Sequence, residues 1–307
     1  MSYAFVFPGQ GSQSVGMLAE LAESHSEVKA VFDEASEVLG YDLWDVVQND
    51  SEGKLNQTDV TQPAMLAAGV AAYRVLLSEK QVEPAFMAGH SLGEYTALVA
   101  SGVMTLAQGI ELVAERGRLM QAAVPAGQGA MAAVLGLEDD QVVAVCAEAE
   151  GVVEAVNFNS PGQVVIAGNK AAVEAALPLM TDAGASRVVP LPVSVPSHCS
   201  LMKPAADELA KKLESMTFNA PSVPVLHNVD FSQAADAEAI KALLVQQLYR
   251  PVQWVEIVNA MKAQGVESLF ELGPGKVLMG LNRRIDRKMG MFPVLDAKSL
   301  EKALANL

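Results

Sequence analysis

Cysteine is nearly missing from this chain: Cys146 and Cys199 are the only two in 307 residues. That is too few for a disulfide framework or a structural zinc site. Histidine is scarce as well, and the four present form no close-spaced ligand cluster, so a metal enzyme is not expected. Basic residues are outnumbered, 21 Lys and Arg against 36 Asp and Glu, leaving a net charge of −15. An acidic balance of that size argues against nucleic acid or an anionic membrane as the main partner, although a local basic patch can exist within it. Aromatic residues make up 5% of the chain and hydrophobic ones 51%, so the core must be built mainly from Ala, Val, Leu and Met. The first ten residues, MSYAFVFPGQ, lack a basic leading region, and Pro8 and Gly9 break their apolar stretch. They read as a first strand rather than a signal peptide. No apolar run reads as long enough to span a bilayer, and the cytoplasm is the expected setting.

What is present alternates. Short apolar runs at residues 3–7, 85–88, 223–226 and 268–272 read as buried strands, and residues 62–77 and those from Leu92 onward read as helical. This order predicts an α/β fold with a largely parallel sheet. The middle of the chain has a different grammar. Strand 130–135, helix 138–148, strand 152–158, a turn at Asn159-Ser160-Pro161-Gly162, strand 164–167, helix 170–181 and strand 187–189 spell βαββαβ, the ferredoxin-like order. Pro125 and Gly127 precede it, and Pro190, Pro192 and Pro196 follow. We therefore expect a larger α/β core, residues 1–124 and 196–307, with a ferredoxin-like unit inserted at 125–195.

The strongest chemical signal is Gly89-His90-Ser91-Leu92-Gly93. It follows an apolar strand and opens a helix, the context a nucleophile elbow requires. The turn is tight, so its flanks must be small and Ser91 is left at the tip, with the Leu92 N–H at a helix start where an oxyanion could form. The bland alternative is a serine that only caps the helix. A serine needs a base, and there are four histidines. His25 lies in a polar helical stretch and reads as solvated, His90 as a pocket wall, and His227 as a satisfied core residue. His198 sits on a loop leaving the small unit, the kind of segment that carries active-site groups. Position alone does not choose His198 over the others.

The Gly-rich segment at residues 7–13 lacks Gly or Ala at Ser14, so it is not a dinucleotide fingerprint. It fits a loop that brings backbone close to a ligand and offers a second N–H donor, that of Gln10. Gly273-Pro274-Gly275-Lys276 likewise fails the phosphate-loop pattern at Phe270 and Val277. Within the helical stretch 105–122, Arg116 falls inside the apolar arc of Leu106, Ile110, Leu112, Val113, Leu119 and Met120. A guanidinium turned toward a core is costly unless it meets an anion. That anion is either an internal carboxylate or the carboxylate of a substrate.

Together these segments resemble the malonyl-CoA:acyl carrier protein transacylases of bacterial fatty-acid synthesis. The resemblance rests on FPGQGSQ (residues 7–13), GHSLGEY (89–95), NFNSPGQVVIAG (157–168), VSVPSHC (193–199), QLYRPVQW (247–254) and ELGPGKVL (271–278). It implies a hydrolase-like α/β core with a ferredoxin-like insert, in agreement with the order of elements above. It further implies Ser91 as nucleophile, His198 as base, and Gln10 and Leu92 as backbone donors of the oxyanion hole. It also implies that Arg116 pairs with the malonyl carboxylate and that the main-chain carbonyl of Gln247 orients the histidine in place of an acidic residue. Coenzyme A then enters as a thioester substrate, not as a cofactor, and the partners are malonyl-CoA and acyl carrier protein. Carrier proteins of this pathway are acidic, so a local basic surface is needed. Arg283, Arg284, Arg287 and Lys288 form the densest candidate, with Arg187 and Lys203 as others, and a solvated helix face is the alternative.

Overall fold

The computed structural model describes residues 2–193 and 195–307. Met1 and Ser194, the latter inside the VSVPSHC segment, lie outside the described residues. Strand β1 (Ser2–Phe7) leads into four helices, α1 (Ala19–Ser24), α2 (Ser26–Leu39), α3 (Leu43–Asn49) and α4 (Thr58–Glu79). Strand β2 (Phe86–Gly89) runs directly into α5 (Leu92–Ala100), and α6 (Leu106–Ala123) follows. The middle segment supplies β3 (Gly129–Leu135), α7 (Asp139–Glu148), β4 (Val153–Ser160), β5 (Gln163–Asn169), α8 (Lys170–Asp182) and β6 (Arg187–Pro190). The chain continues through α9 (Lys203–Glu214), β7 (Val225–Leu226), α10 (Ala237–Gln247) and α11 (Trp254–Ala263). It ends with β8 (Val266–Leu272), α12 (Val277–Ile285), β9 (Gly290–Val294) and α13 (Ala297–Leu304).

Five strands form a parallel sheet in the order β7-β2-β1-β8-β9. A parallel sheet is covered on both faces, which is why β1 is apolar without alternation. Phe5 and Phe7 pack into the cluster on one side, and Ala4 and Val6 into the cluster on the other. The second sheet is antiparallel, in the order β4-β5-β3-β6, with α7 and α8 packed on one face. The βαββαβ order expected from sequence is therefore the order observed. Its other face, formed by Met131, Val156, Val165 and Ala167, packs against Cys199 in the loop that follows. A short parallel bridge ties this sheet to the main unit: Phe158 N–H donates to Val252 O (3.0 Å), and Val252 N–H to Val156 O (2.9 Å).

Two sequence expectations need correction. Helix α4 is in fact long and apolar enough to cross a bilayer, with a mean hydropathy of 1.3 over its most apolar window, but 83% of that window is buried inside the protein. It is hydrophobic all round because other helices surround it, as expected for a central core helix. The strand expected at 223–226 shrinks to Val225–Leu226, since Pro224 cannot donate to a ladder. Strand β9, with Pro293 near its end, went unread for the same reason. It lies at the sheet edge, where a missing N–H is tolerated.

Close helix contact sets the position of Arg116. A Cβ at Gly117 would lie 2.6 Å from Asp59 Cα and 2.8 Å from Thr58 O, so α6 reaches the first turn of α4 backbone to backbone. Gln62, one turn further along α4, is thereby held beside Arg116. Replacing Gly117 by Leu should force these helices apart and cost about 1–3 kcal/mol. Urea unfolding checks this, and a midpoint equal to that of the parent would refute the packing argument.

Candidate functional site

The sheet's C-terminal edge collects the chemistry, as open parallel sheets do. Ser91 sits between β2 and α5 with φ 52° and ψ −109°, a sparsely populated region for a side-chain-bearing residue. Such a conformation costs on the order of 1–3 kcal/mol and persists only where the surroundings enforce it. The surroundings do so here. A Cβ on Gly89 would collide with the backbone of Gly93, and one on Gly93 with the carbonyl of Phe7. The loop after β1 also touches the turn directly, since a Cβ on Gly9 would meet the carbonyl of His90. Gln10 follows on that loop, exposed, while Leu92 is buried at the first position of α5, where backbone N–H groups have no acceptor within the helix.

His198 stands opposite. Its Nε2 lies 2.7 Å from Ser91 Oγ, and its Nδ1 lies 2.6 Å from the main-chain carbonyl of Gln247. A carbonyl can only accept, so Nδ1 carries the proton and Nε2 presents its lone pair to the serine hydroxyl. The ring is buried, and the residue's backbone has a positive φ of 67°, with its main-chain N–H donated to Leu248 O (3.0 Å). Burial pulls its pKa down to about 3, the Arg116 charge adds to the effect, and the Gln247 carbonyl offsets only part of it. At neutral pH the imidazole is uncharged. Cys199 next to it is no rival nucleophile, because burial pushes its thiol up to about 12.

Arg116 is 1% exposed. It donates to Gln62 Oε1 (2.7 Å), Gln247 Oε1 (3.0 Å) and, at 3.5 Å, Ser91 Oγ, and it lies 5.1 Å from the Tyr95 ring centroid. Among the described residues no carboxylate bonds to it, and its Nε has no partner. The internal-carboxylate reading is thereby overturned. The amides leave the positive charge uncancelled, a short reach from the serine oxygen.

The other histidines separate cleanly. His25 is not solvated: its side chain is 12% exposed and Nε2 lies 3.1 Å from Glu79 Oε1. His90 Nε2 lies 2.7 Å from Asn159 Oδ1 of the small sheet, and burial, partly offset by that bond, lowers its pKa. His227 is buried, as expected, with Nδ1 2.7 Å from Glu94 Oε1. Of the basic candidates, Arg283, Arg284, Arg287, Lys288, Arg187 and Lys203 are all exposed, the first four at and just beyond the end of α12.

Three functional neighbours escaped the sequence reading. Asn228 clamps the elbow, accepting from Ser91 N–H (2.7 Å) and donating to Gly89 O (2.7 Å). Gln62 and Glu94 did carry a signal: each is a polar residue in a segment apolar on every face, so each had to find a buried partner. Asn228 carried none, since it leaves a two-residue strand.

Residues 4–291 match the model of the acyl transferase domain family. The malonyl CoA-acyl carrier protein transacylase of Escherichia coli K12 is 59% identical over 285 residues, 92% of each chain, and that of Bacillus subtilis is 41% identical over 307 residues, 99% of this chain and 96% of the other. A crystal structure of an acyl carrier protein S-malonyltransferase from Vibrio cholerae superposes with a TM-score of 0.96 at 59% identity, covering 99% of this chain and all of that one. A malonyl-transacylase solved in complex with its type II PKS acyl-carrier protein superposes with a TM-score of 0.98 at 53% identity, over the whole of both chains. A strained serine against a neutral imidazole, a buried guanidinium beside them, and near-complete likeness to these proteins lead to one conclusion: the chain belongs to the acyl transferase family, among its malonyl-CoA–acyl carrier protein transacylases.

Proposed function

We propose that this chain moves the malonyl group of malonyl-CoA onto the phosphopantetheine thiol of an acyl carrier protein through a malonyl ester on Ser91, supplying the extender unit of fatty-acid synthesis. The observation that carries the reading is the 2.7 Å contact between Ser91 Oγ and His198 Nε2 beside a guanidinium that, among the described residues, has no carboxylate partner. The Ser91 hydroxyl proton passes to His198 Nε2 as Oγ attacks the thioester carbonyl. The N–H groups of Gln10 and Leu92 receive the oxyanion, each contributing roughly 3 kcal/mol. Collapse breaks the C–S bond, and the departing coenzyme A sulfur takes the proton from Nε2. The carrier thiol then gives its proton to His198 and attacks the ester carbonyl. The C–O bond breaks, and Ser91 recovers its proton.

Arg116 selects the acyl group. A malonyl carboxylate satisfies the guanidinium, whereas a neutral acetyl group leaves it unpaired. It also acts on the base. After burial, the Arg116 charge is the largest influence holding the His198 pKa down. A carboxylate seated on Arg116 cancels that field, so the correct substrate strengthens the base that activates its attacker. The same reading takes residues 125–195 as an insert into the core, the cytoplasm as the working compartment, and Arg283, Arg284, Arg287 and Lys288 as the surface that meets the acidic carrier.

Mixing with malonyl-CoA should add one malonyl group to the intact mass of the parent and none to Ser91→Ala. Persistence of the adduct in the variant, or rapid hydrolysis by the parent without a thiol acceptor, would sink the transfer reading. For His198, the ring should stay neutral with Nδ1–H from about pH 8 to about pH 5 by NMR, and Arg116→Gln should raise its midpoint. The sign for stability follows. The unfolded ring takes its proton at its ordinary 6.5 and the folded ring only near 3, so stability declines as pH falls through that interval. A parent midpoint near 6.5 contradicts this. Reversing the charges at Arg283, Arg284, Arg287 and Lys288 should raise the KM for carrier and flatten its salt dependence while sparing the KM for malonyl-CoA, and unchanged carrier kinetics would move the docking surface elsewhere.

A further inference from the structure

Glu94 takes no part in the steps above, yet it is fully buried one turn past the nucleophile. A carboxylate there is expensive unless every lone pair is used. Its Oε1 faces His227 Nδ1 at 2.7 Å. Its Oε2 accepts from Asn228 N–H (3.0 Å) and from the side-chain amide of Gln247 (2.8 Å). The Gln247 amide is thus fixed at both ends. Its Nε2 donates to Glu94 and to Ser91 O (2.9 Å), so its Oε1 must point the other way, where it accepts from Arg116 at 3.0 Å. The carboxylate and the guanidinium stand one amide apart.

We propose that Glu94 is a positioning residue for acyl selectivity: through the side-chain amide of Gln247 it holds Arg116 aligned while leaving that guanidinium uncancelled for the substrate's carboxylate. A carboxylate bonded directly to Arg116 would compete with malonate, and an unanchored amide could turn its NH2 toward the guanidinium and push it away. Placing the negative charge behind an oriented amide avoids both. The main-chain carbonyl of Gln247, which holds His198, is a separate group, so the device does not set the orientation of the base. Replacing Glu94 by Gln leaves one acceptor oxygen, which the fixed backbone N–H of Asn228 selects, and turns the new NH2 toward His227 Nδ1. The Gln247 amide then donates to a neutral oxygen in place of a carboxylate, so its hold on Arg116 weakens.

This inference rests on Arg116 being the carboxylate-binding group, and the test separates the two. The readout is the ratio of kcat/KM for malonyl-CoA to that for acetyl-CoA, with pantetheine as acceptor, in E94Q, Q247M, the double variant and R116A. A purely structural role for Glu94, acting through Asn228 on the elbow, lowers both substrates together and leaves the ratio alone. The proposal expects E94Q and Q247M each to lower the ratio about tenfold, mainly through the malonyl-CoA KM, and the double variant to lower it no further. A ratio within about twofold of the parent in either single variant, or losses that multiply in the double variant, overturns it. Should E94Q not fold, Q247M decides alone, since it keeps the main-chain carbonyl under His198. If R116A leaves the ratio unchanged, the reading of Arg116 fails. If R116A collapses the ratio and E94Q does not, only the present inference falls.

Discussion

A guanidinium buried within 3.5 Å of a serine oxygen, bonded among the described residues to amides and to no carboxylate, is the constraint around which the rest is arranged. Left to itself such a charge is worth several kcal/mol of instability. The protein meets that cost with the side-chain amide oxygens of Gln62 and Gln247 and the Tyr95 ring, while close helix packing at Gly117 keeps Gln62 in place. The charge also supports the base. Burial does most to keep His198 neutral, and an uncancelled cation beside it resists protonation further; among the described residues no carboxylate bonds to the ring.

Much of this was written in the order of residues. Gly89, Gly93 and the apolar strand before them require a tight turn with Ser91 at its tip, and the collisions that a Cβ would make at either glycine are the physical form of that requirement. The helical arc that turned Arg116 inward was correct as well, since packing period is a local property. The βαββαβ grammar was legible because each strand of an antiparallel sheet is bounded by its own turn.

Other features could not be read locally. His198 and Ser91 are 107 positions apart, and nothing near either residue specifies their 2.7 Å contact. That contact arises because one face of the small sheet packs on Cys199 and so seats the adjoining histidine. His25 and β9 failed for a related reason. A polar neighbourhood hid the covering of His25 by Glu79, and a proline hid an edge strand whose pairing lies entirely with β8. Periodicity reports which face of an element is covered, but not by what.

The acceptor beneath His198 Nδ1 is a peptide oxygen. Such an atom belongs to no residue type, so drift at position 247 cannot delete it and an alanine scan is blind to it. Only a shift in the path of the chain at the end of α10 could take it away. The tautomer of the imidazole is therefore inherited with the fold, and lineages that rewrite every side chain around the cleft would still pass it on.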